Sequence, residues 1–181
     1  MANHTYTEQE EAAMAVIRRW CDEGWTKGHV EVANELIHPN FKVHGAGGQV
    51  IEPGVEGLKQ LILAWRTGFP DAVQRVDDIF ALGDRVVVRL TWEGTHTGEF
   101  MGTPPSGKKV SVETIGIDRV VDGKVVEGWG ELNMLGAMQT MGAMPPFGEA
   151  VQDHHKGRDV INHHGHTHWR DPPRGHGKPA K

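Results

Sequence analysis

The sequence holds one cysteine, Cys21, in 181 residues. No intramolecular disulfide can form, so packing alone must hold the fold. No apolar run approaches the length of a bilayer span. The first residues, MANHTYTEQEE, lack the basic start and apolar centre of a secretion signal. The expectation is a cytoplasmic protein with no membrane partner. Positive charge is also short where a nucleic-acid binder needs it. The net charge is −5, yet residues 151–181 carry six Lys/Arg against three Asp/Glu, which leaves residues 1–150 at −8. An acidic body cannot replace phosphate counterions, so nucleic acid is excluded as its partner. No His-Glu-x-x-His spacing and no internal repeat occurs, and the turn-rich loop Gly102–Gly107 is unlike a phosphate-binding motif. Neither a metal nor a cofactor is expected in the body.

The most informative stretch is residues 84–133, which reads as three successive antiparallel strands. In the first, Arg85 to about His96, Val86, Val88, Leu90 and Trp92 alternate with Arg85, Arg89, Thr91 and Glu93. A period of two marks a half-buried strand. The second runs from Lys108 to Val121 and is followed by Asp122-Gly123, a pair suited to a type I′ hairpin turn. The third, Lys124 to Asn133, places Val125, Glu127, Trp129, Glu131 and Asn133 on one face by simple alternation. Two carboxylates, an indole and an amide make an unusual core face, and chemistry is expected there.

Upstream, Thr7 and Glu10 form a capping box. The helix they open is expected to reach Asp22 or Glu23, burying Ala13, Val16, Ile17, Trp20 and Cys21. A second helix is expected over Val30 to Ile37, stopped by Pro39. Phe41 to His44 reads as a strand that ends at the glycines of 45–48, with Phe41 and Val43 on one face and His44 on the other. A third helix to about Thr67 offers Val55, Leu58, Leu61, Ile62 and Trp65. A strand over 72–82 follows, and a helical turn or two over Met134 to Met141 closes the body. From Phe147 the chain is rich in His, Gly, Pro, Lys and Arg without apolar period, so it cannot offset the entropy of ordering. The domain is expected over 1–146, with a tail over 147–181. His164, His166 and His168 in that tail are expected to bind metal only adventitiously, since no fixed geometry supports them.

The runs GTHTGEFMGTPPSGKKV and DGKVVEGWGELNMLGAMQTMG, with HPNFKVHG and FPDA upstream, resemble the SnoaL-like polyketide cyclases of the nuclear transport factor 2-like superfamily. The resemblance spans roughly residues 10–143. It implies an α+β fold in which a cone-shaped, curved antiparallel sheet packs on the N-terminal helices around a deep pocket, and it implies a homodimer. In the family pattern the strand after the turn reads Glu, His, Trp, three residues, then a catalytic Asp. The matching positions here are Glu127, Gly128, Trp129 and Asn133, so an amide stands where the acid/base group is expected.

The expected function is therefore cofactor-free acid/base chemistry on a small apolar carbonyl or polyketide-like molecule, with aldol-type cyclisation as the closest version. The alternatives are a related isomerase, dehydratase or epoxide hydrolase, or a non-catalytic binding protein. The expected catalytic groups are Glu131 as base, with Asn133, His44 and His96 around it. Glu131 shares the parity of Asn133, and His96 shares that of Leu90 and Trp92, although a partly exposed strand-end position competes for His96. Trp65, Trp92 and Trp129 are the expected apolar walls.

Overall fold

Thr7 caps the first helix as its sequence predicts: the Thr7 hydroxyl accepts from the Glu10 amide while the Glu10 carboxylate accepts from the Thr7 amide. The computed structural model describes residues 5–44, 50–51 and 54–146. Helix α1 spans Glu8–Arg19 and continues without a break into a π-helical turn, Trp20–Thr26. A 3-10 turn, Val30–Val32, leads into the one-turn helix α2, Ala33–Leu36. Helix α3 spans Gly54–Gly68 and α4 spans Met134–Met141. The chain separates into a compact unit, Met1–Met144, and a second unit, Pro145–Lys181. The tail histidines His164, His166 and His168 and the glycines of 45–48 lie outside the described residues.

Six strands form one sheet in the order β2-β1-β6-β5-β4-β3: β1 Ile37–His44, β2 Val50–Ile51, β3 Val73–Leu82, β4 Arg85–Thr95, β5 Lys109–Val121 and β6 Lys124–Leu132. Every neighbouring pair is antiparallel except β1 with β6, which is parallel. These two strands are distant in sequence, so no hairpin constrains their direction. The β5–β6 turn takes φ of 48° at Asp122 and 73° at Gly123, the geometry expected from the Asp-Gly pair.

Two local expectations change. Helix α2 stops at Leu36, and the chain is already extended at Ile37, so Pro39 lies inside β1. It is tolerated there because the β1–β6 register shifts between Ile37 and Lys42, freeing that position from the ladder. Leu61 is 47% exposed and is not core. The sheet bends at register shifts between Val76 and Asp78 in β3 and between Arg119 and Val120 in β5. Gly94 and Gly116 keep an unbroken β4–β5 register.

The inner face of the sheet packs on α1, the π turn and α3. Val86, Val88, Leu90 and Trp92 are buried, as the alternation requires, together with Ala13, Ile17, Trp20 and Ile62. Glu10 ties this layer to the β3–β4 hairpin: its Oε1 accepts from the Gly83 amide at 2.9 Å, and the residue is buried. Breaking a buried hydrogen bond to a charged group strands its partner. Glu10→Ala is expected to cost about 1–3 kcal/mol, measured by urea denaturation; an unchanged midpoint would show that the tie contributes nothing.

A candidate active site between the helices and the sheet

A cavity of about 510 Å³ lies between the inner sheet face and the helices, a size typical of small-molecule sites. Trp20 and Trp25 from the π turn, Trp65 from α3 and Trp92 on β4 line it. Phe100 and Met101, on the turn after β4, border its mouth with the half-exposed Leu61. The polar groups are few: Gln74, Thr114, Asp118 and Cys21. No lysine, arginine or histidine lines it among the described residues.

The β5–β6 register explains what faces this space. Val120 pairs with Val125, but Arg119 pairs with Glu127, so Val126 is an extra residue on β6. A bulge of one residue reverses the facing of everything beyond it. Val125 points inward; past the bulge, Gly128, Gly130 and Leu132 border the cavity. Glu127, Trp129 and Glu131 therefore turn to the outer face, which corrects the single-face reading of this strand. Glu131 is exposed opposite the exposed Ile115. It does not enter the cavity.

The other expected site residues are similarly dispersed. Asn133 is exposed and caps α4, its Oδ1 accepting from the Gly136 amide at 3.0 Å. His44 is not on the cavity wall. Its Nε2 lies 2.8 Å from Glu127 Oε1, and its ring stacks on Trp129 at 4.7 Å. Arg119 completes this cluster at 3.2 Å from Glu127. First His44 and then Arg119 hold the Glu127 carboxyl below the ordinary glutamate range. Trp129 borders the cavity as part of β6, but its indole is committed to His44 and to the Arg85 guanidinium 4.8 Å away.

His96 is fully buried, not a partly exposed strand end. It accepts from the Ser106 amide through Nδ1 at 3.2 Å and packs on Phe69, bracing the 96–107 loop from behind the cavity wall. Trp65 and Trp92 both line the cavity and meet edge to face at 4.8 Å. Glu131, Asn133, His44 and His96 are not brought together. Among the described residues, no group of three or more His, Cys, Asp or Glu is placed to hold a metal ion. No helix among them is long and apolar enough to cross a membrane.

The carboxylate in the cavity is Asp118, which the sequence reading missed. The signal was present: Asp118 has the parity of Val110, Val112 and Val120, the buried row of β5. It sits directly opposite Gly128 and two positions from the facing pair Gly116 and Gly130. Three glycines thus leave a stretch of floor without side chains. Asp118 is half-buried and lines the cavity; desolvation pushes its pKa up to about 7. The Cys21 thiol is driven up to about 12, first by burial and then by Asp118, so it stays neutral.

Residues 15–141 match the model of the SnoaL-like polyketide cyclases. The chain belongs to that family. Among its relatives, nogalonic acid methyl ester cyclase of Streptomyces nogalater is 29% identical over 100 residues, covering 54% of this chain and 74% of that protein. Aklanonic acid methyl ester cyclase AcmA of Streptomyces galilaeus is 31% identical over 114 residues, covering 62% and 78%. A structure from Jannaschia sp. CCS1 described as a SnoaL-like polyketide cyclase superposes with a TM-score of 0.71 at 29% identity, over 79% of this chain and all of that one. AclR of Streptomyces galilaeus superposes at 0.69 and 28% identity, over 88% and 99%. This SnoaL-like chain is an enzyme of the cyclase type.

The cavity carboxyl has a stability signature. Its folded-state pKa of about 7 lies above the unfolded value of about 3.9, so the native state keeps the proton longer. Stability from this group therefore falls as pH rises from about 4 through about 7, and the cost above that is on the order of 4 kcal/mol. Asp118→Asn removes the ionisation. Its gain in melting temperature over the parent is expected to grow between about pH 5 and about pH 8, measured by calorimetry. An equal difference at both pH values would mean that Asp118 titrates as an ordinary surface carboxylate.

Proposed function

We propose that the chain catalyses an aldol-type ring closure on a small apolar carbonyl compound, with Asp118 as the proton carrier. The observation that supports this most directly is a single carboxyl, desolvated and tuned to about neutrality, on the wall of a tryptophan-lined cavity. A base works best when its pKa lies near the operating pH. Ionised Asp118 takes a proton from the carbon beside a carbonyl, leaving an enolate. That carbon attacks a second carbonyl of the same molecule, and one carbon–carbon bond forms. The resulting alkoxide takes the proton back from Asp118, so the cycle consumes no cofactor or added acid.

The cavity's charge supports a neutral substrate. A free carboxylate would meet Asp118 with no cation on the wall to offset it, whereas a methyl ester carries no charge. The names of both curated relatives specify methyl esters, and a methyl ester of a polyketide-derived acid is the substrate class we assign here.

A simple ketone tests the proton step without the native substrate. The protein is expected to accelerate exchange of the α-protons of 2-tetralone in heavy water, followed by NMR. The rate should rise with pH through about 7 and then level, since the ionised form is the base. Asp118→Asn should lower it by about 10²–10⁴-fold, while Glu131→Gln, on the outer face, should match the parent. Exchange that survives in Asp118→Asn would remove Asp118 from the mechanism.

The outer sheet face supports a second proposal, a homodimer. Phe80 is 51% and Ile115 59% exposed, and both border a shallow depression with Val87 and Arg89. A contiguous apolar patch on a sheet face marks an interface, and a self-complementary one closes as a two-fold pair. Light scattering is expected to give a dimer mass that Ile115→Lys reduces to a monomer; a monomeric parent at micromolar concentration would refute this.

A further inference from the structure

We propose that Gly128 is a positioning residue: the space left by its missing side chain holds the Asp118 carboxyl, and this decides where over the floor the proton is transferred. The inference rests on Asp118 being the proton carrier. Gly128 has no positive φ, so its backbone does not require glycine. What requires glycine is room. A Cβ built there would lie 2.9 Å from Asp118 Oδ1 and 3.4 and 3.5 Å from two ring carbons of Phe41. The carboxylate oxygen thus stands closer to that Cβ position than a real contact allows, and Phe41, buried in the core, closes the adjacent side. Any side chain at 128 must push the carboxyl away.

The next pair along the two strands behaves differently. A Cβ on Gly130 would meet nothing nearer than 3.9 Å, and one on Gly116 nothing nearer than 3.5 Å. Gly116 and Gly130 leave room for a further carbon at ordinary contact distance, an open pair, whereas Gly128 does not, because the Asp118 carboxylate stands too close. The geometry puts the reacting carbon over the open pair, beside Asp118. Among the described residues Asp118 has no hydrogen bond or ion pair of its own, and the other ionisable group on this wall, Cys21, stays protonated. Packing alone holds the carboxyl, so its neighbour at 128 sets its position. Small misplacements of a reacting group have large rate effects.

The test is a double-mutant cycle read on 2-tetralone exchange, with the Asp118 carboxyl followed by carbon-13 NMR. Gly128→Ala is expected to lower kcat at least roughly tenfold with KM changed less than about threefold, and to move the carboxyl's titration midpoint. In the Asp118→Asn background the same change should alter the residual rate less than about twofold, because the group it displaces is gone. Asp118→Glu, which keeps an acid but misplaces it, should also lose roughly tenfold in kcat. A midpoint unmoved by Gly128→Ala, an equal loss in both backgrounds, or full kcat in Asp118→Glu would overturn the positioning role. A midpoint that moves while Asp118→Asn keeps its exchange rate would instead sink the catalytic reading and leave the steric coupling standing.

Discussion

One unpaired residue, Val126, sorts the β5–β6 hairpin into two surfaces. Because Val120 faces Val125 while Arg119 faces Glu127, the inward row passes from Val125 to Gly128, Gly130 and Leu132. Without that extra residue Glu127, Trp129 and Glu131 would enter the core, where two carboxylates without partners would cost several kcal/mol. The bulge instead puts glycines inside and the charges outside. Cavity volume and the solvation of the acidic residues thus follow from one backbone irregularity. The bulge also turns the two strands more sharply, which suits a sheet that must curve around its helices.

The two surfaces then carry different electrostatics. Outside, His44, Glu127 and Arg119 pair within 2.8–3.2 Å in partial contact with water, and the arrangement lowers the Glu127 pKa. Inside, Asp118 has no hydrogen-bond or ion-pair partner among the described residues, and desolvation raises its pKa. Two carboxylates on neighbouring strands are driven in opposite directions by the presence or absence of a cation. The carboxyl with the raised pKa exchanges its proton near neutrality, at a cost to stability above that pH.

Asn133 shows how the departure from the family pattern is accommodated. As an amide it cannot carry a proton, yet its side chain still caps α4. Nothing in the local structure then demands a carboxylate at the end of β6. Among the described residues the carboxyl on the cavity wall is Asp118 on β5, opposite Gly128, where the family pattern has histidine.

Much of the fold was legible because it depends on local periodicity. The capping box, the buried row of Val86, Val88, Leu90 and Trp92, and the positive φ at Asp122 and Gly123 each follow from a few adjacent residues. Trp65 and Trp92 could be assigned to the cavity for the same reason. The site was less legible, because side-chain facing in a strand is counted from its register and one extra residue inverts the count. Nothing in KVVEGWGELN announces which residue is unpaired; the shift arises from pairing with β5. Glu131 was therefore assigned inward and went outward. Asp118, on the unbroken row of β5, could have been found by counting from Val110 and Val112. Its pKa could not, since desolvation depends on helices contributed by residues about a hundred positions earlier. Sequence alone determined the elements, their hairpins and the family; tertiary structure decided which carboxyl is buried, because burial is a property of what packs against a strand and not of the strand itself.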